Sequence, residues 1–182
     1  MYDGKQYLCS MTSRMTSLDV ARMLRLRPET AHKGTMGHAL LVAGSAGVGG
    51  CAVLGAESCL RSGVGKLTVC TPECNRLLLQ LSVPEAVLRL LPHGGDDGAS
   101  WEAEEFARWQ AVGIGPGIGL LAVGLLHDVA ERSAGLPMVV DADALRILAV
   151  HPEWMPMLRG RAVLTPHGGE MQALASLSLI HI

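Results

Sequence analysis

The stretch that decides the fold is Ala39-Leu40-Leu41-Val42-Ala43 followed by Gly44-Ser45-Ala46-Gly47-Val48-Gly49-Gly50. Its first part is apolar at every position, so a strand formed by it would be buried on both faces, as a central strand of a parallel sheet is. The glycines that follow break the strand and permit a tight turn. Residues 51–62 then have the pattern of a helix, so the region predicts a strand, a glycine turn and a helix.

The same order of strand, turn and helix recurs along the chain. Further strands are predicted at residues 67–70, 86–91, 111–114, 138–140 and 162–164, and helices at residues 101–109 and 142–150 among others. Ser17 is predicted to cap a short first helix that ends before Arg27-Pro28. Strands that alternate with helices at this spacing predict an α/β fold with a doubly wound parallel sheet. No linker divides the pattern, so we expect one domain after a flexible arm at residues 1–16.

Composition and charge exclude several classes of function. The chain has 182 residues, is 49% hydrophobic and carries a formal net charge of −2. This balance gives no basic surface for a nucleic acid. Apolar runs stay shorter than the ~18 residues of a membrane span, and the N-terminus has no apolar signal-peptide core. We therefore expect no nucleic-acid partner and no membrane association.

The cysteines indicate a reducing compartment. They are odd in number and contain no C-x-x-C pair: Cys9, Cys51, Cys59, Cys70 and Cys74. Several lie in apolar segments, where a thiol packs as a small hydrophobic group. A zinc site is therefore not expected, and the cytoplasm is the expected location.

Four turns follow predicted strands and contain residues suited to ligand binding. They are Gly44–Gly50, Gly115-Pro116-Gly117-Ile118-Gly119, Asp141-Ala142-Asp143-Ala144-Leu145 and Thr165-Pro166-His167-Gly168-Gly169-Glu170. A parallel sheet brings the carboxyl ends of its strands to one edge, where open α/β folds bind ligands. The sequence therefore predicts that the four turns share one site.

Each turn also has a purely structural interpretation. Glycines let backbone N–H groups approach an anion or a flat ring, but they also simply make tight turns. The first turn is not a Walker A loop, because no Gly-Lys-Ser/Thr follows it. Asp141 or Asp143 either holds a magnesium-bound phosphate or caps the next helix. His167 either donates to a substrate carbonyl or phosphate or has a structural role. Residue by residue, these alternatives stay open.

Taken in order, the four turns resemble one family. Together with His32-Lys33-Gly34 and Leu60-Arg61-Ser62-Gly63-Val64-Gly65, they are similar to motifs of the ADP/ATP-dependent NAD(P)H-hydrate dehydratases of the ribokinase-like superfamily. The resemblance implies a three-layer α/β/α sandwich with a mostly parallel sheet. It assigns residues 17–175 to the N-terminal portion of a dehydratase domain and leaves residues 176–182 as a non-native or frayed tail.

The resemblance also implies an activity, which is a lyase reaction that repairs the hydrated, damaged form of NADH and NADPH. In this family the ring hydroxyl is phosphorylated from ADP or ATP with Mg²⁺, and phosphate then leaves, expelled by the lone pair of the ring nitrogen. Such a site needs room for the dinucleotide and donors for phosphate charge. The family implies NAD(P)H hydrate as the small-molecule substrate, a cytoplasmic location and a homo-oligomer at full length.

The family's substrate contacts correspond to three positions in this chain: Cys51, Gly119 and His167. Cys51 departs from the family pattern, which has alanine there. If the contact is made by the backbone N–H, the change is tolerated; if the alanine methyl packs on the ring, sulfur crowds it. No protein ligand for a resident metal is predicted.

Two segments of the family pattern do not occur in this sequence. One is a nucleotide-contacting Lys-Gly segment, and the other is a Gly-Thr-Gly-Asp turn whose aspartate is the base. The catalytic residue is therefore expected beyond the chain end, with the sheet incomplete at the C-terminus and the chain an inactive fragment. Two alternatives remain: a ribokinase-like small-molecule kinase, such as a hydroxyethylthiazole or pyrimidine kinase, and a catalytically dead dinucleotide-binding module.

Overall fold

The computed structural model describes residues 15–24, 27–91 and 101–178. The chain divides into two compact units, of which the first ends at Ala31 and the second begins at His32. The described part of the first unit contains helix α1, Ser17–Met23, which has no buried residue. The sheet, the core and all four predicted ligand turns belong to the second unit.

The cap of α1 is Thr16, so the prediction that Ser17 caps this helix was wrong. The side chain of Thr16 accepts a hydrogen bond from the Asp19 N–H at 3.3 Å, and the Asp19 carboxylate accepts one from the Thr16 N–H at 2.9 Å. This reciprocal pair is a capping box, which requires an acceptor three residues after the cap. Asp19 meets that spacing for Thr16 and not for Ser17.

The second unit is built on a parallel sheet, as predicted. Its strands are β1 (His38–Val42), β2 (Lys66–Pro72), β3 (Val87–Leu91), β4 (Ala111–Ile114), β5 (Met138–Val140) and β6 (Ala162–Leu164). Within the described residues they lie in the order β3-β2-β1-β4-β5-β6, and every neighbouring pair is parallel. The predicted strands at residues 111–114, 138–140 and 162–164 are confirmed to the residue.

The strand order reverses direction between β1 and β4. From β1 the chain moves through β2 to β3 on one side, then returns to β4 and moves through β5 to β6 on the other. Because crossovers between parallel strands are right-handed, the connecting helices of the two halves lie on opposite faces. The turns after β1 and β4 therefore lie at the point where open α/β folds have their ligand crevice.

Helices cover both faces of the sheet. They are α2 (Gly50–Arg61), α3 (Arg76–Ser82), α4 (Ala103–Phe106), α5 (Val123–Arg132), α6 (Asp143–Val150), α7 (Met155–Leu158) and α8 (Gly168–Ser178), with short 3₁₀ turns at Glu73–Asn75 and Pro152–Trp154. One buried cluster joins α5, α6 and α7 to one face, and a second joins α2 and α3 to the other face at β1 and β2. Helix α8 packs against α6.

Two helices differ from their predicted extent. The helix predicted at residues 101–109 is the single turn α4, because Trp101, Phe106 and Trp109 pack against one another with ring centroids 5.2–6.0 Å apart. Burial of these three rings outweighs continuation of the helix. Helix α8 continues to Ser178, three residues into the segment predicted as a tail, and residues 179–182 lie outside the described part. None of the described helices combines the length and apolar character needed to cross a membrane.

Candidate functional site

Backbone hydrogen bonds tie the turns after β1 and β4 together at the crevice. The Gly44 N–H donates to the Pro116 carbonyl at 2.8 Å, and the Gly115 N–H donates to the Val42 carbonyl at 3.1 Å. Gly115 has φ +132°, and a Cβ built there would lie 1.8 Å from the carbonyl oxygen of Asp141. Only glycine fits that position, so the close approach of β4 to the turn after β5 depends on it.

The thiol of Cys51 lies between the same two turns. Its Sγ is 3.1 Å from the carbonyl oxygens of both Val48 and Pro116. Because a thiol has one proton, it donates to one of these oxygens at a time. A Cβ at Gly117 would lie 2.4 Å from this sulfur, so the glycine makes room for it. The side chain of Cys51 therefore packs between the turns.

Thiol alkylation tests this placement. Burial raises the pKa of Cys51 and raises that of Cys70 to about 12, whereas Cys74 is exposed. Because the thiolate is the nucleophile, iodoacetamide at neutral pH is expected to modify Cys74 first, Cys51 slowly and Cys70 only on unfolding. The rate at Cys51 should rise with pH as its thiolate fraction grows. Peptide mapping by mass spectrometry measures all three rates. Equal rates at Cys51 and Cys74 would show that the sulfur is not packed between the turns.

The turn after β4 is joined to the turn after β5 by Asp143. The carboxylate Oδ2 of Asp143 accepts a hydrogen bond from the Gly119 N–H at 3.0 Å. Gly119 has φ +82°, and a Cβ there would meet no atom within 4 Å, so the space beside it is open. The N-cap of α6 is Ala142, and no side chain caps this helix. Asp143 therefore links two turns and does not cap α6, which settles one alternative left open by the sequence.

The turn after β5 also contains a residue with a strained backbone conformation. Ala142 has φ +50°, the one positive φ among the described residues other than glycine. Such a conformation costs about 1–2 kcal/mol for an L-residue with a side chain, and strain of this kind concentrates at functional sites. It places Asp141 and Asp143 on either side of the strained residue at the carboxyl end of β5.

The donor set around Ala142 fits a magnesium-bound phosphate. Asp141 is partly buried, and no hydrogen bond from the described residues reaches its carboxylate. Asp143 uses one carboxylate oxygen for the Gly119 N–H. Mg²⁺ is commonly held by one or two carboxylates together with waters and substrate phosphates. Asp141 and Asp143 are therefore the residues here that would hold it.

His167 caps helix α8. Its Nδ1 accepts a hydrogen bond from the Gly169 N–H at 3.1 Å, and its own backbone N–H donates to Glu170 Oε2 at 3.0 Å. Its Nε2 lies 3.0 Å from Glu170 Oε1, so in this arrangement Nε2 carries the proton and donates. The imidazole side chain is nevertheless 72% exposed, whereas that of Glu170 is 9% exposed. His167 therefore has a structural role as the cap of α8, and most of its ring stays exposed to solvent.

The structure brings some predicted site residues together and separates others. Cys51 contacts the turn that contains Gly119. His167 follows β6, which lies two strands away from β4 at the same edge. With about 4.8 Å between neighbouring strands, that separation is about 10 Å. A ligand longer than a single ring would be needed to reach both places.

Two supporting residues were missed by the sequence analysis. Asn75 is buried, and its Nδ2 donates to Thr71 Oγ1 at 2.9 Å and to the Ser45 carbonyl at 3.4 Å. Through these bonds Asn75 joins the Ser45 carbonyl of the first glycine turn to Thr71 of β2. A Cβ at Gly49 would lie 2.7 Å from Asn75 Oδ1, so that glycine is required by the amide. The available signal was a threonine near the end of a buried strand and an asparagine shortly after that strand.

Comparison with known proteins supports the family resemblance. The family model described as NAD(P)H-hydrate dehydratase matches residues 39–181. The chain is 31% identical over 155 residues to the ADP-dependent (S)-NAD(P)H-hydrate dehydratase of Listeria monocytogenes, covering 84% of this chain and 54% of that protein. It is 37% identical over 154 residues to the bifunctional NAD(P)H-hydrate repair enzyme of Synechocystis, covering 81% of this chain and 28% of that protein.

Solved structures show the same fold. An ADP/ATP-dependent NAD(P)H-hydrate dehydratase from Bacillus subtilis, co-crystallized with ATP/Mg²⁺, is 28% identical with a TM-score of 0.66, covering 91% of this chain and 57% of that one. A ribokinase-like protein from Enterococcus faecalis has a TM-score of 0.68 at 25% identity, covering 83% and 52%. The chain thus spans about half the length of these relatives and less of the bifunctional enzymes. The family match, the parallel sheet and the four turns at one edge together show that this chain belongs to the NAD(P)H-hydrate dehydratase family, with a ribokinase-like fold.

Proposed function

We propose that this chain forms the nicotinamide side of a site at which (S)-NAD(P)H hydrate is dehydrated with ADP or ATP. The observation that carries the proposal is the open turn at Gly119, which is linked to the first glycine turn by the Gly44–Pro116 hydrogen bond and to Asp143 by its own N–H. Backbone N–H groups at glycine turns suit a flat amide-bearing ring or a pyrophosphate, because no side chain blocks the approach.

In the proposed reaction, different turns bind the substrate ring and the phosphate-bound metal ion. The glycine turns after β1 and β4 would bind the hydrated ring, and Asp141 and Asp143 would hold Mg²⁺, which neutralises phosphate charge when bound. Transfer of a phosphoryl group to the ring hydroxyl replaces hydroxide, a poor leaving group, by phosphate. The lone pair of the ring nitrogen then expels phosphate with its bonding electrons, and loss of a proton from the neighbouring ring carbon restores the ring double bond. The base that completes the reaction is expected in the Gly-Thr-Gly-Asp turn of the family.

The proposal is tested by return of the near-ultraviolet absorbance of the reduced nicotinamide. We expect this chain to bind NAD(P)H hydrate in a calorimetric titration. We expect a chimera, in which the unmatched part of the Bacillus subtilis relative completes the domain, to restore the absorbance with Mg²⁺ and ADP or ATP. Failure of the chimera with both nucleotides would reject the dehydratase. Binding without turnover, by this chain and by the chimera alike, is the behaviour of a catalytically dead dinucleotide-binding module, the second candidate.

Two further parts of the proposal concern the whole protein. We place it in the cytoplasm, since none of the described cysteines is in a disulfide. We also expect the full-length protein to be a homo-oligomer, which sedimentation velocity would show as a species larger than one chain.

Replacing His167 with asparagine tests its contact with substrate separately from its helix cap. Asparagine is a strong N-cap residue, so the unfolding free energy is expected to change by less than about 0.5 kcal/mol. Loss of the exposed ring should weaken binding of NAD(P)H hydrate about tenfold, the effect of losing one hydrogen bond of ~1.4 kcal/mol. Calorimetric titration and urea unfolding give the two values. Unchanged affinity would mean that His167 caps α8 but does not contact the substrate.

A further inference from the structure

The outer side of helix α5 carries a cluster of metal-ligating side chains that the proposed reaction does not use. The helix buries its apolar side, which consists of Leu125, Leu126, Val129 and Ala130. On the other side, Glu131 follows His127 by four residues and Asp128 by three, the two spacings at which side chains on a helix are neighbours. Among the described residues this is the one group of three His, Cys, Asp or Glu side chains whose ligand atoms all lie within 4.8 Å of one another.

The distances between the ligand atoms suit a bridging ion better than a direct contact. Nδ1 of His127 lies 3.8 Å from Oδ1 of Asp128, which is too long for a hydrogen bond. In a tetrahedral site with bonds of ~2.1 Å, two ligand atoms lie ~3.4 Å apart. The side chains of His127 and Asp128 are 38% and 44% exposed, so small rotations can bring the ligand atoms to that spacing without movement of the helix.

No other described group occupies these three side chains. The other histidines in the described part of the chain each have a hydrogen bond on a ring nitrogen, namely His32, His38, His151 and His167. His127 has none from the described residues, and neither Asp128 nor Glu131 forms an ion pair with a lysine or arginine there. Two carboxylates and one imidazole thus lie together with no described cation beside them to balance their charge.

The imidazole of His127 is held in position by Trp154. The two ring centroids are 4.9 Å apart, with the ring planes at 62° to each other. Trp154 itself packs against the core, and His151 stacks on its ring with centroids 4.3 Å apart. A side chain that is already positioned loses less conformational freedom when it binds a ligand. Packing on Trp154 therefore favours metal binding by His127.

The cluster is separate from the turns at the carboxyl ends of the strands. Helix α5 connects β4 to β5, so it runs from the carboxyl ends of these parallel strands back to their amino ends. At 1.5 Å per residue, His127 and Glu131 lie about 6 and 12 Å along the helix from its first residue. The ligands for Mg²⁺ proposed above, Asp141 and Asp143, follow β5 at the carboxyl ends.

We propose that His127, Asp128 and Glu131 bind a divalent transition-metal ion of the zinc class, with water completing its coordination. An imidazole nitrogen favours such an ion over Mg²⁺ and Ca²⁺, which take oxygen ligands. Three protein ligands and one open position is a known arrangement for zinc. Because the ligands come from two successive turns of α5, the bound ion stabilises the folded helix relative to the unfolded chain.

Calorimetric titration of the chain with Zn²⁺, in excess Mg²⁺ and without dinucleotide, tests the proposal. Loss of a partner beyond the ligands alone commonly costs 10–100-fold in metal affinity, so His127→Gln should weaken Zn²⁺ binding by at least about tenfold. Glu131→Gln, at an exposed position, should also weaken it. His151→Gln is the matched control, because it removes an imidazole from the same tryptophan but not from the cluster. It is expected to leave the affinity unchanged.

Urea unfolding gives a second readout that a purely structural histidine would not change. Zn²⁺ should raise the unfolding midpoint of the unmodified chain and of His151→Gln, and chelation by EDTA should reverse the shift. The midpoint of His127→Gln should not respond to Zn²⁺. Absence of saturable Zn²⁺ binding, equal weakening by His127→Gln and His151→Gln, or displacement of Zn²⁺ by equimolar Ca²⁺ would overturn the proposal. None of these readouts depends on the proposed dehydratase activity.

Discussion

Replacing Gly115 with alanine is expected to lower the free energy of unfolding by about 3 kcal/mol or more, and with it to abolish ligand binding at the crevice. The new Cβ would lie 1.8 Å from the carbonyl oxygen of Asp141 and 2.9 Å from the Cβ of Ala144. Both neighbours belong to the turn and helix that follow β5, so relief requires movement of backbone and not of a flexible side chain. The residue would also keep an unfavourable φ of +132°.

Gly119→Ala in the same turn is the control for backbone strain alone. Gly119 also has a positive φ, but an added Cβ would meet nothing within 4 Å. Its cost is expected to stay near 1–2 kcal/mol. Equilibrium urea unfolding of the two variants measures the difference. Equal costs would mean that the close approach of the turns after β4 and β5 does not stabilise the fold.

Replacing Arg161 with methionine is expected to cost about 3 kcal/mol of stability. The guanidinium donates to the carbonyls of Met157 at 2.8 Å, Ser133 at 3.0 Å and Leu136 at 3.1 Å, and also to the carbonyl of Ala130. These contacts join the end of α5 to the segment before β6. Methionine keeps much of the apolar stem but leaves the carbonyls without their donor.

The expected loss comes from the hydrogen bonds of Arg161 to carbonyl groups and not from an ion pair. Among the described residues it forms no ion pair with a carboxylate, and desolvation lowers its pKa. Burial of the charge is therefore unfavourable, and the carbonyl oxygens near the end of α5 offset it. Arg159→Met, at an exposed neighbouring position, should change stability by less than about 0.5 kcal/mol. Similar midpoints in thermal unfolding for the two variants would refute the bridging role.

The sequence predicted the strands better than the helices. Strands β4, β5 and β6 are short apolar runs with polar residues, proline or glycine close by, and such boundaries are local. The helix predicted at residues 101–109 failed for a tertiary reason. Trp101, Phe106 and Trp109 are brought together in the core, and the spacing of these rings gave no indication of which partners they would meet.

The site was predictable in its location but not in its detailed bonding. Topology alone places the four turns at one edge of a parallel sheet, so their grouping followed from the order of strands. The bond from Gly119 to Asp143 and the packing of Cys51 between two carbonyls depend on distances between turns that are far apart in sequence. The cap formed by His167 was missed for a different reason. Histidine is not among the preferred capping residues, although Glu170 three residues later accepts a hydrogen bond from the His167 N–H as in half of a capping box.

The most direct test is a calorimetric titration of the chain with NAD(P)H hydrate, made on two matched variants. Gly119 and Gly135 have φ of +82° and +86°, and a Cβ at either position meets no atom within 4 Å. Gly119 lies in the turn after β4, at the carboxyl ends of the strands. Gly135 precedes β5 and therefore lies at the amino ends of the strands. If the crevice binds the hydrated ring, the unmodified chain and Gly135→Phe bind it and Gly119→Phe does not. Absence of binding by the unmodified chain, or equal binding by both phenylalanine variants, would contradict the proposed site.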